Sequence, residues 1–209
     1  MDGKTHFIAG GLAGIAVSNY VGADVSTTII FAALGSGIGL VPDLDVNGIL
    51  ANKLTFDKKW SHFLLGFIGI ILMVYSFFIV EGHSQWIGIG MGLALLLIPS
   101  IVVKQRTMLL LTGIAVLLTG ASLNKTWLLL FGIYIIIASR LPHRSLTHSL
   151  IGLAYFGVVG YFLEQDFRID GMMLVCIVSY ASHLILDMKW LPMNRKGVKL
   201  FQPFSNHEM

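Results

Sequence analysis

The densest run of side chains able to do chemistry is Leu141-Pro142-His143-Arg144-Ser145-Leu146-Thr147-His148, which puts two imidazoles, a guanidinium and two hydroxyls between long apolar segments. Ionisable groups beside a membrane span are costly and tend to be functional. Neutral imidazoles are good metal ligands. The same residue types recur elsewhere as His6, Asp43, Asp45, His62, His183 and Asp187. His183 and Asp187 are four apart, so a helix places both on one face. Asp43 and Asp45 follow Pro42, and alternate residues of an extended turn point the same way. An aspartate at the carboxyl end of a helix opposes the macrodipole, which favours a bound cation there. Imidazole with carboxylate suits zinc, manganese, iron or nickel. More than four such donors suggests two ions, and two close metals suit phosphoester cleavage. Cys176 is the one cysteine, so a thiolate site and an internal disulfide are both excluded.

The elements that must position these residues are long apolar segments. The chain of 209 residues is 56% hydrophobic and 12% charged, with a mean hydropathy of +0.80, far from the usage of a soluble domain. It reads as an all-α, polytopic integral membrane bundle in a single membrane domain spanning residues 1–209. About eight helices are expected, near 5–19, 26–41, 61–80, 85–103, 107–121, 126–140, 146–163 and 171–187. Thr5 is expected to cap the first helix. Pro142 should stop the sixth, and Ser145 or Thr147 should cap the seventh. Glycines four apart (Gly10 and Gly14, Gly35 and Gly39, Gly88 and Gly92) predict close helix crossings.

Basic residues set the orientation. With the amino terminus in the cytoplasm, that side receives Lys4, Lys53, Lys58, Lys59, Lys104 and Arg106. It also receives Arg140, Arg144, Lys189, Arg195, Lys196 and Lys199, which leaves the other side Lys125 and Arg168. Both termini are then cytoplasmic. Every candidate ligand falls at a cytoplasmic helix end, whereas His83 lies on the outer side and His207 in the tail. The basic tail faces anionic lipid, and nothing points to nucleic acid.

In this order the residues resemble the YdjM-type family of membrane-bound metal-dependent hydrolases. The matching pieces are His6 with Gly10, Leu40-Val41-Pro42-Asp43-Leu44-Asp45, His143-Arg144-Ser145-Leu146-Thr147-His148-Ser149, and Ser182-His183-Leu184-Ile185-Leu186-Asp187. Gly197-Val198-Lys199-Leu200-Phe201 completes them. The likeness covers residues 1–48 and 140–205, with helices at about 61–140 as an insertion. Val46 stands where some members carry a histidine, and His62 is a candidate to compensate. The resemblance implies a hydrolase.

From the residues and the resemblance together, the expected metal ligands are His6, Asp43, Asp45, His143, His148, His183 and Asp187, with His62 as an extra. They would hold a divalent transition metal, zinc or manganese, as one ion or two. Arg144 and Asp45 are the catalytic candidates, with Arg144 stabilising negative charge in the transition state. Ser145 and Thr147 are placed to orient the ligands. The expected activity is hydrolysis of an ester or phosphoester, on a membrane lipid or amphiphile at the cytoplasmic face of the cell membrane. The alternatives are a metal-ion or small-solute transporter and a non-catalytic scaffold tied together by metal.

Overall fold

The computed structural model describes residues 2–45, 58–102, 105–142, 144–190, 194, 197–205 and 207–209. Among these the protein is all-helical, with eight α-helices, two short 3-10 turns and no strand. In chain order the helices are α1 (Gly3–Val21), α2 (Val25–Ile38), α3 (Lys58–Ile79), α4 (His83–Val102), α5 (Gln105–Ser122), α6 (Thr126–Ala138), α7 (Leu150–Phe167) and α8 (Met172–Leu186). The 3-10 turns are Val41–Asp45 and Leu146–His148.

The ends of the helices follow local chemistry. Asp24 caps α2, its side chain accepting from the Thr27 N–H at 2.9 Å. Glu164, late in α7, accepts from the N–H groups of Gly171 (3.1 Å) and Met173 (3.0 Å). That carboxylate therefore sits at the amino end of α8, where the macrodipole favours it. Gly22 closes α1 in the left-handed region at φ 67°.

Three local expectations are corrected. Thr5 does not cap α1, which begins at Gly3 behind Asp2. Neither Ser145 nor Thr147 caps the seventh helix. That helix starts four residues later than expected, behind Ser149, whose hydroxyl accepts from the Gly152 N–H at 3.4 Å and donates to the Leu146 carbonyl at 2.7 Å. The residues in between wind as a 3-10 turn, so His148 precedes the helix rather than lying in it. The second helix stops at Ile38, and Asp43 lies in the 3-10 turn beyond it rather than in an extended one.

Packing is by helical hairpins. The pairs α1–α2, α3–α4, α5–α6 and α7–α8 are the most extensive, and α8 also packs on α1 and α2. The first two glycine pairs form the α1–α2 crossing. A methyl on Gly10 would land on the Gly35 carbonyl oxygen, one on Gly14 on the Phe31 carbonyl, and one on Gly39 on the His6 carbonyl. The third pair does the same in α3–α4, with Gly88 against Ser76 and Gly92 against Gly69. The buried core gathers Phe31, Ile135, Val175 and Tyr180 with Leu44 of the first turn and Val198 of the tail.

By length and composition one described helix, α3 over His62–Ile79, suffices to cross a membrane. The apolar helices around the core are shorter, with 14 residues in α2, 13 in α6 and 15 in α8. Large apolar side chains line the outside, among them Phe7 and Leu12 on α1 and Phe63, Phe67 and Phe78 on α3.

Candidate metal centre

The site forms where four chain segments meet at one end of the bundle. His6 comes from the first turns of α1, Asp43 from the 3-10 turn after α2, and His148 from the 3-10 turn before α7. His183 and Asp187 come from the last turn of α8 and its cap. The i, i+4 spacing brings the last two together as expected, with His183 Nε2 3.7 Å from Asp187 Oδ2. His6, His148 and His183 have no exposure, and Asp187 has 2%.

Four donor atoms converge. His148 Nε2 lies 3.3 Å from Asp43 Oδ1, 3.8 Å from Asp187 Oδ2 and 3.3 Å from His183 Nε2. His183 Nε2 lies 3.6 Å from Asp43 Oδ1. All four ligand atoms lie within 4.8 Å of one another, and the cluster could hold a metal ion.

The backbone fixes which nitrogen faces inward. His183 Nδ1 is 2.7 Å from the Gly39 carbonyl. A carbonyl can only accept, so Nδ1 carries the proton and the Nε2 lone pair is turned into the cluster. Gly39 is needed in this place because its Cα side is pressed against α1 at His6. His148 Nδ1 pairs with Thr147 Oγ1 at 3.1 Å, which again points Nε2 inward. Behind them Tyr180 donates to the Thr147 carbonyl, and Tyr134 and Tyr180 are joined hydroxyl to hydroxyl at 2.9 Å. This buried tyrosine pair holds the turn that carries His148.

His6 is placed differently. Its ring stacks on that of His183 with centroids 3.8 Å apart, and its Nε2 lies 3.2 Å from Asp187 Oδ1. Neither ring nitrogen has a hydrogen-bond partner among the described residues. Two buried nitrogens left so are costly, and a cation between His6 and Asp187 would satisfy one of them. Asp187 thus turns one oxygen to the four-donor cluster and the other to His6.

Burial opposes ionisation of both carboxyl groups, but the facing imidazoles outweigh it. Asp43, with the His148 imidazole against it and that of His183 nearby, is held at about 2. Asp187 is held well below the usual carboxylate range by His6 and His183. Arg144 adds a further positive charge, its Nη2 3.8 Å from Asp187 Oδ2. Its backbone is left-handed at φ 59°, a conformation that costs a non-glycine residue about 1 kcal/mol or more. Strain of that kind clusters at functional sites.

The remaining expected residues divide. Thr147 touches a ligand ring. Ser145 is buried, but its hydroxyl has no partner among the described residues and orients none of the described ligands. His62, in the first turns of α3, is not among the clustered donors. His143 lies outside the described residues, as does the side chain of Asp45. The positioning roles of Gly39, Tyr134 and Tyr180 were missed from sequence. The Gly35 and Gly39 spacing pointed to the close crossing, but only the Pro-Asp-x-Asp turn that follows could have tied Gly39 to the ligands.

At the opposite end of α7, Asp166 pairs with Lys125 and accepts from the Trp127 indole at 3.1 Å. That exposed cluster has no imidazole. Comparison with curated proteins and with solved structures gives no match. The whole chain, residues 1–209, matches the family described as YdjM inner membrane protein. A buried Asp/His cluster at one end of an apolar helical bundle is thus carried by a protein that belongs to the YdjM inner membrane protein family.

Proposed function

We propose that this protein is a membrane-bound, metal-dependent hydrolase that cleaves an ester or phosphoester of a lipid or amphiphile at the cytoplasmic face of the inner membrane. The observation that carries the reading is the spacing of the four donors. Ligands on a tetrahedron about 2.0–2.3 Å from its centre stand roughly 3.3–3.8 Å apart. Five of the six separations among His148, His183, Asp43 and Asp187 span that range, and the sixth, between the two carboxylates, is within 4.8 Å. Two nitrogens and two carboxylate oxygens at that spacing favour zinc over manganese, which prefers six oxygen-rich positions.

His148, His183, Asp43 and Asp187 would hold one ion. His6 and the outer oxygen of Asp187 supply donors for a second, with Asp45 and His143 as the residues to complete it. A divalent metal bound here supplies Lewis acidity and activates water near neutral pH. The chain's own contribution is orientation and charge. Gly39 fixes the His183 tautomer, Thr147 orients the His148 ring, and the buried walls keep bulk water out. Arg144 is placed to bind a phosphate oxygen and to stabilise negative charge as the ester bond breaks. Its planar fork can grip two oxygens at once.

The proposed topology is multi-pass with both termini in the cytoplasm. It rests on the twelve basic residues assigned to one side and on the two at the other, Lys125 and Arg168. The apolar side chains on the outside of the bundle suit contact with lipid. Reporter fusions after Arg106 and Arg144 should read cytoplasm, and a fusion after Lys125 the opposite side. A periplasmic signal at Arg144 sinks the orientation.

The function is tested by incubating purified protein with a panel of phospholipids and small phosphoesters, with and without chelator. Chelator-sensitive cleavage that falls in Arg144→Lys, while metal content stays constant, is expected. Retained metal with no cleavage of any ester overturns the enzymatic reading.

A further inference from the structure

An apolar groove of about 550 Å³ runs along the bundle between α2, α6, α7 and α8. On α2 and just beyond it, Ile30, Leu34 and Val41 face the groove; on α7 it is lined by Phe156, Leu163 and Phe167. Both sets follow helical spacing, so each helix gives one continuous face. Two lining residues carry polar hydrogens. The Trp127 indole N–H is already committed to Asp166, and the Cys176 thiol is a weak donor buried in the wall. The groove therefore offers its occupant no good hydrogen bond, and only hydrocarbon is at home there.

Its dimensions narrow the choice. From Phe156 to Phe167 the lined face of α7 runs eleven residues, about 16 Å. That is close to half of a hydrocarbon core of about 30 Å, the depth of one leaflet. One acyl chain laid along this face reaches the depth of one leaflet.

The groove also adjoins the metal centre. Its upper wall is Ile38 and Val41, and the same turn carries Asp43 two residues later. Gly39, between them, is the acceptor that orients His183. On α8, Cys176 lies two helical turns below His183. Hydrocarbon walls thus lead up to a site that combines metal donors with the Arg144 guanidinium, the charge complement of a phosphate. We infer that the groove binds one acyl chain of a membrane phospholipid and so presents its phosphoester head to the cluster, the second chain staying in the bilayer. This rests on the hydrolase reading for the cutting step but not for the binding.

Gly37 gives the means to test it. It lines the groove, and a Cβ built on it meets nothing within 4 Å. Gly37→Phe therefore projects into the groove, with Gly37→Ala as a control that folds alike but leaves the space open. The full chain is reconstituted in phosphatidylglycerol–phosphatidylethanolamine vesicles containing phosphatidylglycerol with a diazirine midway along one acyl chain. It is irradiated and mapped by mass spectrometry. Labels are expected on Phe131, Val159 and Cys176 in the native and Gly37→Ala proteins, and lost in Gly37→Phe with metal content unchanged. Labels confined to the outer face of α3, or persisting in Gly37→Phe, overturn the proposal. Hydrolysis of hexadecanoyl and octanoyl lipids is followed in parallel. A preference for the longer chain that Gly37→Phe abolishes supports the groove. Cleavage indifferent to both overturns the groove while leaving the hydrolase standing. Groove labelling without any cleavage supports the groove and removes the hydrolase.

Discussion

In the α3–α4 hairpin, Gly92 packs against Gly69 and Gly88 against Ser76, and Phe63, Phe67 and Phe78 stand exposed outside. In the group formed by α1, α2, α7 and α8, glycines again let helices touch at Gly10, Gly14, Gly35 and Gly39. The packing device is the same but its consequence differs. Every buried ionisable side chain among the described residues with a place in the metal cluster comes from the second group or its flanking turns, and none from the hairpin. In the hairpin, close approach only joins two apolar helices. In the core, it brings four segment ends near enough for imidazoles and carboxylates to share one centre. Glycine contact sets the distance, and the residues at the helix ends decide whether the distance is put to chemical use.

The sharpest break of this comparison is at the cluster itself. His183→Ala removes a donor with no exposure, and so few donors leave little scope for replacement. Retained metal, measured by elemental analysis, should fall to background, while His83→Ala should leave it at the native level. Next come the crossings. A leucine at Gly10 or at Gly92 meets backbone in either place, and each should cost roughly 2 kcal/mol or more by overpacking. Thermal unfolding in detergent should fall for both, but metal should be lost only with Gly10→Leu. Loss of metal in Gly92→Leu would show that the hairpin holds the site together as well.

A smaller effect is expected at Thr147→Val, which keeps the shape and removes the hydroxyl on His148 Nδ1. Metal affinity should weaken by about tenfold, as for other groups that orient a ligand. Competition with a metal indicator reads it. Acid tests the carboxylate side of the cluster. The folded carboxyl of Asp43 lies at about 2, below its ordinary 3.8, so the unfolded chain takes up that proton first as pH falls. The stability Asp43 contributes is complete above about pH 4 and lost on descending to about 2. In metal-free protein, Asp43→Asn should flatten unfolding against pH across that window. An unchanged slope would show that Asp43 does not face the imidazoles.

Much of this was legible in the sequence because apolar runs and their interruptions are local. The eight helices lie where hydrophobic patterning put them, and the ends differ by a few residues where a competing cap decided the matter, as Ser149 did. The gathering of His6, Asp43, His148, His183 and Asp187 at one end could be anticipated, because each sits at a helix end of the same side. What could not be read was geometry that depends on backbone contact between distant segments. The hold of Gly39 on His183 spans 144 positions, and that of Tyr180 on Thr147 spans 33. No periodicity carries such information. Nor could the sequence show that Ser145 would be buried with no partner among the described residues, or that His62 would remain outside the cluster.

The shortness of the core helices has a mechanical consequence. On the proposed topology, α2, α6 and α8, with 14, 13 and 15 residues, reach about 20–22 Å. A bilayer core of about 30 Å must then pinch inward around them. The pinch stores elastic energy in the surrounding lipid, at a fraction of a kcal/mol for each ångström of mismatch. Two copies that share one dimple deform less lipid than two apart, so the membrane itself draws them together without any protein contact. The pull is weakest in thin membranes, and the protein should spread out there and cluster where the bilayer thickens.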